Sequence, residues 1–166
     1  DPGLVAAELI VFVRRLAEEL GGDQVATVGR IDVHPNLVNV IPASVTMTVD
    51  LRNTDEATLQ VAERRLVREI ARVSNAEGVD IASRSLARFE PVDFDPAMID
   101  LVESTAQRLG CSTRRMPSGA GHDAQMMARV CQTSMIFTNS RGGISHNPAE
   151  FTAPDDLEAG AKVLLH

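Results

Sequence analysis

Apolar residues return every three or four positions over residues 4–20, with Leu9, Phe12, Val13, Leu16 and Leu20 on one side and Arg14, Arg15, Glu18 and Glu19 opposite. That spacing matches the turn of a helix, and Gly21 and Gly22 stop it. Residues 24–34 are rich in Val, Thr and Ile and predict a strand. Pro35 and Pro42 then bracket a stretch that cannot be helical throughout. From Ser44 to Arg52 the period changes to two. Val45, Met47, Val49 and Leu51 fall on one face and Thr46, Thr48, Asp50 and Arg52 on the other, as in a half-buried antiparallel strand. Thr54 is a suitable N-cap for a second helix. Asp55 and Glu56 lie in its favourably polarised first turn, and Leu59, Ala62, Leu66, Ile70 and Val73 form its apolar stripe. Residues 79–88 predict a further, less regular strand.

The order helix, strand, strand, helix, strand is that of a ferredoxin-like two-layer sandwich lacking its first strand. Residues 90–96, with two prolines and three acidic residues, are expected to be a linker. Beyond it the pattern predicts a helix at 97–109, a short strand near 112–116, a helix at 121–130, an apolar strand at 134–138 and a last helix from Pro154. Helix and strand alternating in this way suggest an α/β layer, and two strands are too few for a doubly wound domain. The expected division is therefore a first domain at 1–88 and part of a larger α/β domain at 89–166. The chain opens on Asp1 with no initiator methionine, as a domain excerpt would.

With 166 residues, 44% of them hydrophobic, the chain can build a real core. A net charge of −7, with no Lys/Arg run longer than two, argues against nucleic-acid and anionic-membrane partners and favours a small molecule. Cys111 and Cys131 form no C-x-x-C pair, so neither a disulfide framework nor a cysteine zinc site is indicated, and a reducing cytoplasm is expected. No apolar run approaches the roughly 18 residues that span a bilayer.

Three places can carry chemistry. The run PSGAGHDA at 117–124 is a glycine-rich turn ahead of a predicted helix, where backbone N–H groups can meet an anion and His122 can donate to a carbonyl oxygen. The alternative is a plain turn in which His122 helps the cap. It lacks the order of a nucleophile elbow and the third glycine of a dinucleotide fingerprint. Next, the apolar strand at 134–138 runs out into a loop ending at His146, a position suited to a metal ligand oriented by a carboxylate such as Glu150. A solvated loop histidine is the competing reading. Last, Arg52 ends the polar face of the alternating strand, where it can grip a carboxylate bidentately or pair with Asp50. Asn39 lies in the irregular segment leading into that strand.

The runs PNLVNVIP at 35–42, DLR at 50–52, SGAGHDA at 118–124 and GISHNPAE at 143–150, in order and spacing, resemble the M20-type amidohydrolases. That group comprises N-carbamoyl-L-amino-acid hydrolases, β-ureidopropionases and allantoate amidohydrolases. The resemblance implies a two-metal catalytic domain interrupted by a lid domain that also makes a homodimer, with residues 1–88 as most of the lid and 89–166 as the end of the catalytic domain. It implies that His146 ligates one of two divalent ions, zinc or else manganese, cobalt or nickel. By the same carry-over His122 contacts the scissile group and stabilises the tetrahedral intermediate, and the Gly121 N–H binds the substrate carboxylate. Asn39 and Arg52 reach the partner's active site, Arg52 gripping the same carboxylate. The remaining ligands and the general-base glutamate have no counterpart in the chain, so the 166 residues alone are expected to be inactive. Other readings are a non-catalytic dimerisation or binding module, and an aminoacylase or peptidase of the broader family.

Overall fold

In the computed structural model, which describes residues 1–166, the first helix α1 runs Pro2–Leu20. The Asp1 carboxylate accepts from the Gly3 and Leu4 N–H groups at 2.8 and 3.3 Å, and Pro2 sits where no N–H is needed. Four short strands follow: β1 Val25–Thr27, β2 Ile31–His34, β3 Ser44–Met47 and β4 Asp50–Arg52. Helix α2, Glu56–Glu77, comes next and ends on Gly78 in the left-handed region, at φ 62°. The cap of α2 is Asp55, whose Oδ1 accepts from the Thr58 N–H at 2.7 Å; Thr54, expected in that role, donates its hydroxyl to Asp23. The Asn53 Oδ1 accepts from the Asp55 N–H at 2.9 Å and sets this entry one residue later.

The two strands expected at 24–34 and 44–52 are each broken in the middle. β1 pairs with β4 (Val25 opposite Arg52, Thr27 opposite Asp50) and β2 with β3 (Ile31 opposite Met47, His34 opposite Ser44). Between these ladders three residues, 28–30, face two, 48 and 49, so one strand carries an extra residue: a β-bulge. The Thr48 N–H still donates to the Arg30 carbonyl at 3.1 Å, and the hairpin is one bent ribbon. Alternation survives, since Val45, Met47 and Leu51 are half-buried while Asp50 and Arg52 are exposed, but at the bulge Thr48 and Val49 are both half-buried.

α1 packs on α2 and on β1 and β3, while α2 touches β4. Leu16 and Val73 are fully buried and Val13 is 2% exposed; each contributes about 1.5–3 kcal/mol by leaving water. Val79 and Ile81 join the cluster of Val5, Leu9 and Val73, yet residues 79–88 form no strand. A strand exists only through a ladder, and no other segment of 1–166 pairs with these residues. Side chains hold the segment instead. Arg88 donates to Glu56 at 2.7 and 3.0 Å and to Glu63 at 2.7 and 3.3 Å.

The chain divides into two compact units, Asp1–Pro91 and Val92–His166. The second is built on α3, Pro96–Arg108, and α5, Pro154–Leu165, which pack on each other and bury Thr105, Ala106 and Val163. Asp95 caps α3 through the Met98 N–H at 2.9 Å. Gly160 lets α5 approach Thr138 closely, because a Cβ there would lie 2.5 Å from the Thr138 Cγ2. The strands expected at 112–116 and 134–138 are absent for the same reason as at 79–88; Arg115 ties the first of these segments to Asp100 and Glu103 on α3. The helix expected at 121–130 shrinks to α4, Ala124–Met127. No helix is long and apolar enough to cross a membrane.

Candidate functional site

Within 117–124 the Ser118 Oγ accepts from the Ala120 N–H at 3.2 Å, and the His122 N–H donates to the Gln125 Oε1 at 3.4 Å. The His122 Nδ1 accepts from the Ala124 N–H at 3.0 Å. An accepting Nδ1 carries no proton, so the neutral ring holds its proton on Nε2, and that edge of an exposed side chain is a hydrogen-bond donor. The expected free amides of a helical first turn are not found. α4 has four residues, and His122 and Asp123 accept from its N–H groups. The open amide is one step earlier, since Gly121 is exposed and its N–H makes no hydrogen bond within the chain.

The loop bearing His146 is closed at its base. The Arg141 N–H donates to the Phe151 carbonyl at 2.8 Å, and the Arg141 guanidinium stacks 4.2 Å above the Phe151 ring. Gly142 and Gly143, at φ 66° and 67°, turn the chain inside this closure. His146 stands midway between the two closing residues with φ 56°. Glu150 does not orient its imidazole as expected. The carboxylate accepts from the His146 backbone N–H at 2.8 Å, while the Asn147 Oδ1 accepts from the Ala149 N–H at 2.9 Å. This fastens the main chain of 146–150 and leaves the imidazole exposed, with both nitrogens available to a metal or to solvent. No three His, Cys, Asp or Glu side chains of the chain converge on one point.

In the first unit Arg52 and Asp50 pair as a fork. The Arg52 Nε lies 3.0 Å from the Asp50 Oδ1, and the Nη2 lies 2.6 Å from the Oδ2. This hydrogen bonding raises the already high pKa of the guanidinium, so it stays cationic. Asn39 is exposed at the middle of the loop 35–43 that closes the hairpin. Arg52 lies on the strands at the hairpin's other end, opposite Val25, and no hydrogen bond joins the two. One residue escaped the sequence reading. Gln24, 8% exposed, donates its Nε2 to the carbonyls of Val25 (2.9 Å) and Arg52 (3.1 Å), and its Oε1 accepts from the Asn53 Nδ2 (3.0 Å). A glutamine between Asp23 and Val25 has no sequence signal of burial.

Residues 4–166 match the model of the peptidase family M20/M25/M40. The chain belongs to this family. Among relatives of this M20-family chain, an N-carbamoyl-L-amino-acid amidohydrolase of Rhizobium meliloti is 38% identical over 166 residues, spanning 100% of this chain and 40% of its own length. An allantoate amidohydrolase of Bacillus subtilis is 34% identical, over 99% of this chain and 40% of its own. The crystal structure of an amidase of the hydantoinase/carbamoylase family from Burkholderia vietnamiensis superposes with a TM-score of 0.96 at 42% identity, covering 100% of this chain and 40% of that one. The chain thus spans about two fifths of the length of these relatives. Its α/β fold is that of the corresponding part of the M20 amidases.

Proposed function

We propose that the whole protein hydrolyses the C–N bond of a linear amide that also bears a carboxylate: an N-carbamoyl-L-amino acid, a ureidopropionate or allantoate. The observation that carries this reading is the pair of open donors at 121–122, the unpaired Gly121 N–H beside a His122 ring whose Nδ1 is committed to the main chain. In this reading Gly121 binds the substrate carboxylate. The His122 Nε2–H donates to the scissile carbonyl oxygen, and the bond strengthens as that oxygen gains negative charge in the tetrahedral intermediate.

Arg52 receives the carboxylate on the fork that Asp50 now fills, so binding exchanges one carboxylate partner for another and loses little of the guanidinium's hydrogen bonding. The first unit would act as the lid and dimerisation domain, placing Arg52 and Asn39 at the partner's active site in a homodimer. The second would close the catalytic domain, with His146 as one ligand of a two-metal site completed by residues outside 1–166. Divalent ions bound there supply a nucleophilic water at neutral pH. The unpaired thiols of Cys111 and Cys131 suit the cytoplasmic setting of this proposal.

The experiment is turnover by the whole protein, loaded with zinc or manganese, of N-carbamoyl amino acids, 3-ureidopropionate and allantoate. Ammonia release from at least one is expected. Release from none defeats the reading and leaves the non-catalytic dimerisation module.

A further inference from the structure

Gln24 is a buried amide at the open end of the hairpin. Sinking an amide into a core without partners costs about 1–3 kcal/mol, and Gln24 avoids this through bonds that all go to the first residue of β1, the last of β4 and the following Asn53. The Arg52 carbonyl, at the end of β4 and opposite Val25, accepts from the Gln24 Nε2–H at 3.1 Å. Asn53, which donates to the Gln24 Oε1, accepts in turn from the Asp55 N–H at the cap of α2. The main chain from Arg52 to Asp55 is therefore fixed from one buried side chain, while Asp50 steadies the guanidinium at the far end of the Arg52 side chain.

We infer that Gln24 is a positioning residue for Arg52. It acts through the main chain, and it sets where the guanidinium meets a substrate carboxylate. This rests on the proposed carboxylate role of Arg52. A frayed strand end would let the base of a long, rotatable side chain wander, and the loss would appear in binding of the carboxylate and not in the bond-breaking step.

The test is a double-mutant cycle in the whole protein with Gln24→Met, Arg52→Ala and the combination, each assayed on the best carboxylate substrate and on the same substrate with its carboxylate converted to a neutral amide. Gln24→Met is expected to raise KM for the carboxylate substrate about tenfold, the loss of one hydrogen bond's positioning, with kcat within about twofold. It should leave the neutral analogue unaffected and add nothing in the Arg52→Ala background. An Arg52→Ala rise in KM with no Gln24→Met rise, or with an additive one, overturns the positioning role and leaves the carboxylate reading standing. An unchanged KM in Arg52→Ala overturns both. If Gln24→Met does not fold, Gln24→Glu keeps the size and the acceptor for Asn53 and removes the donors; it is held to the same outcomes.

Discussion

His122 makes its bond to Ala124 with the ring nitrogen that cannot then carry a proton, and this converts an exposed histidine into an oriented donor. If the Nε2–H stabilises developing charge, His122→Asn in the whole protein lowers kcat about 10²–10³-fold with little change in KM. A KM effect alone assigns His122 to ground-state binding instead. For His146 the expected readout is metal content: His146→Ala in the whole protein retains fewer equivalents of zinc per chain after dialysis, and an unchanged content rejects the ligand role. Both histidines were legible as chemistry-bearing because glycine-rich turns at 117–124 and 142–146 point to special backbone. What each nitrogen does was not legible. The choice by Glu150 of the His146 main chain over its imidazole depends on the fold of five residues that no spacing rule resolves.

At the scale of elements, α5 and α2 yield separate tests. In α5, Gly160 to alanine trades a helix-propensity gain of about 1 kcal/mol against a clash with the Thr138 methyl. The expected outcome is that Gly160→Ala alone lowers thermal stability and that adding Thr138→Ser, which removes that methyl, raises it above Thr138→Ser alone. Strict additivity of the two changes rejects close packing as the reason for this glycine.

At the start of α2, hydrogen bonds from Arg88, and secondarily from Gln60, hold the Glu56 carboxyl below its ordinary range. A carboxyl that is more acidic folded than unfolded contributes stability fully above the unfolded value, and the contribution fades as pH falls through the folded one. Arg88→Gln should therefore destabilise the chain near neutral pH and lose its penalty toward pH 3, as followed by urea unfolding. A penalty independent of pH refutes the assigned role of this pairing. The helices were readable from sequence because an apolar stripe and its stop are encoded locally, as where Leu9, Val13 and Leu16 precede Gly21 and Gly22. Thr54 misled because Asn53 supplies a local turn that shifts the entry by one residue.

For the molecule as a whole, the family and the α/β fold follow from motifs in register along nearly the entire chain, and the structure separates these residues into two units, 1–91 and 92–166. The sequence by itself determined the long helices, the alternating faces of the hairpin and the identity of the motif residues, since each is encoded within a few positions by periodicity, capping or backbone-permissive glycines. Tertiary structure alone decided the bulge that bends the hairpin and the burial of Gln24 against the carbonyls of Val25 and Arg52, and within 1–166 it gives residues 79–88, 112–116 and 134–138 no ladder. A β-ladder needs its partner's hydrogen bonds, and a buried amide needs its partners' carbonyls; neither partner is named by the residues nearby.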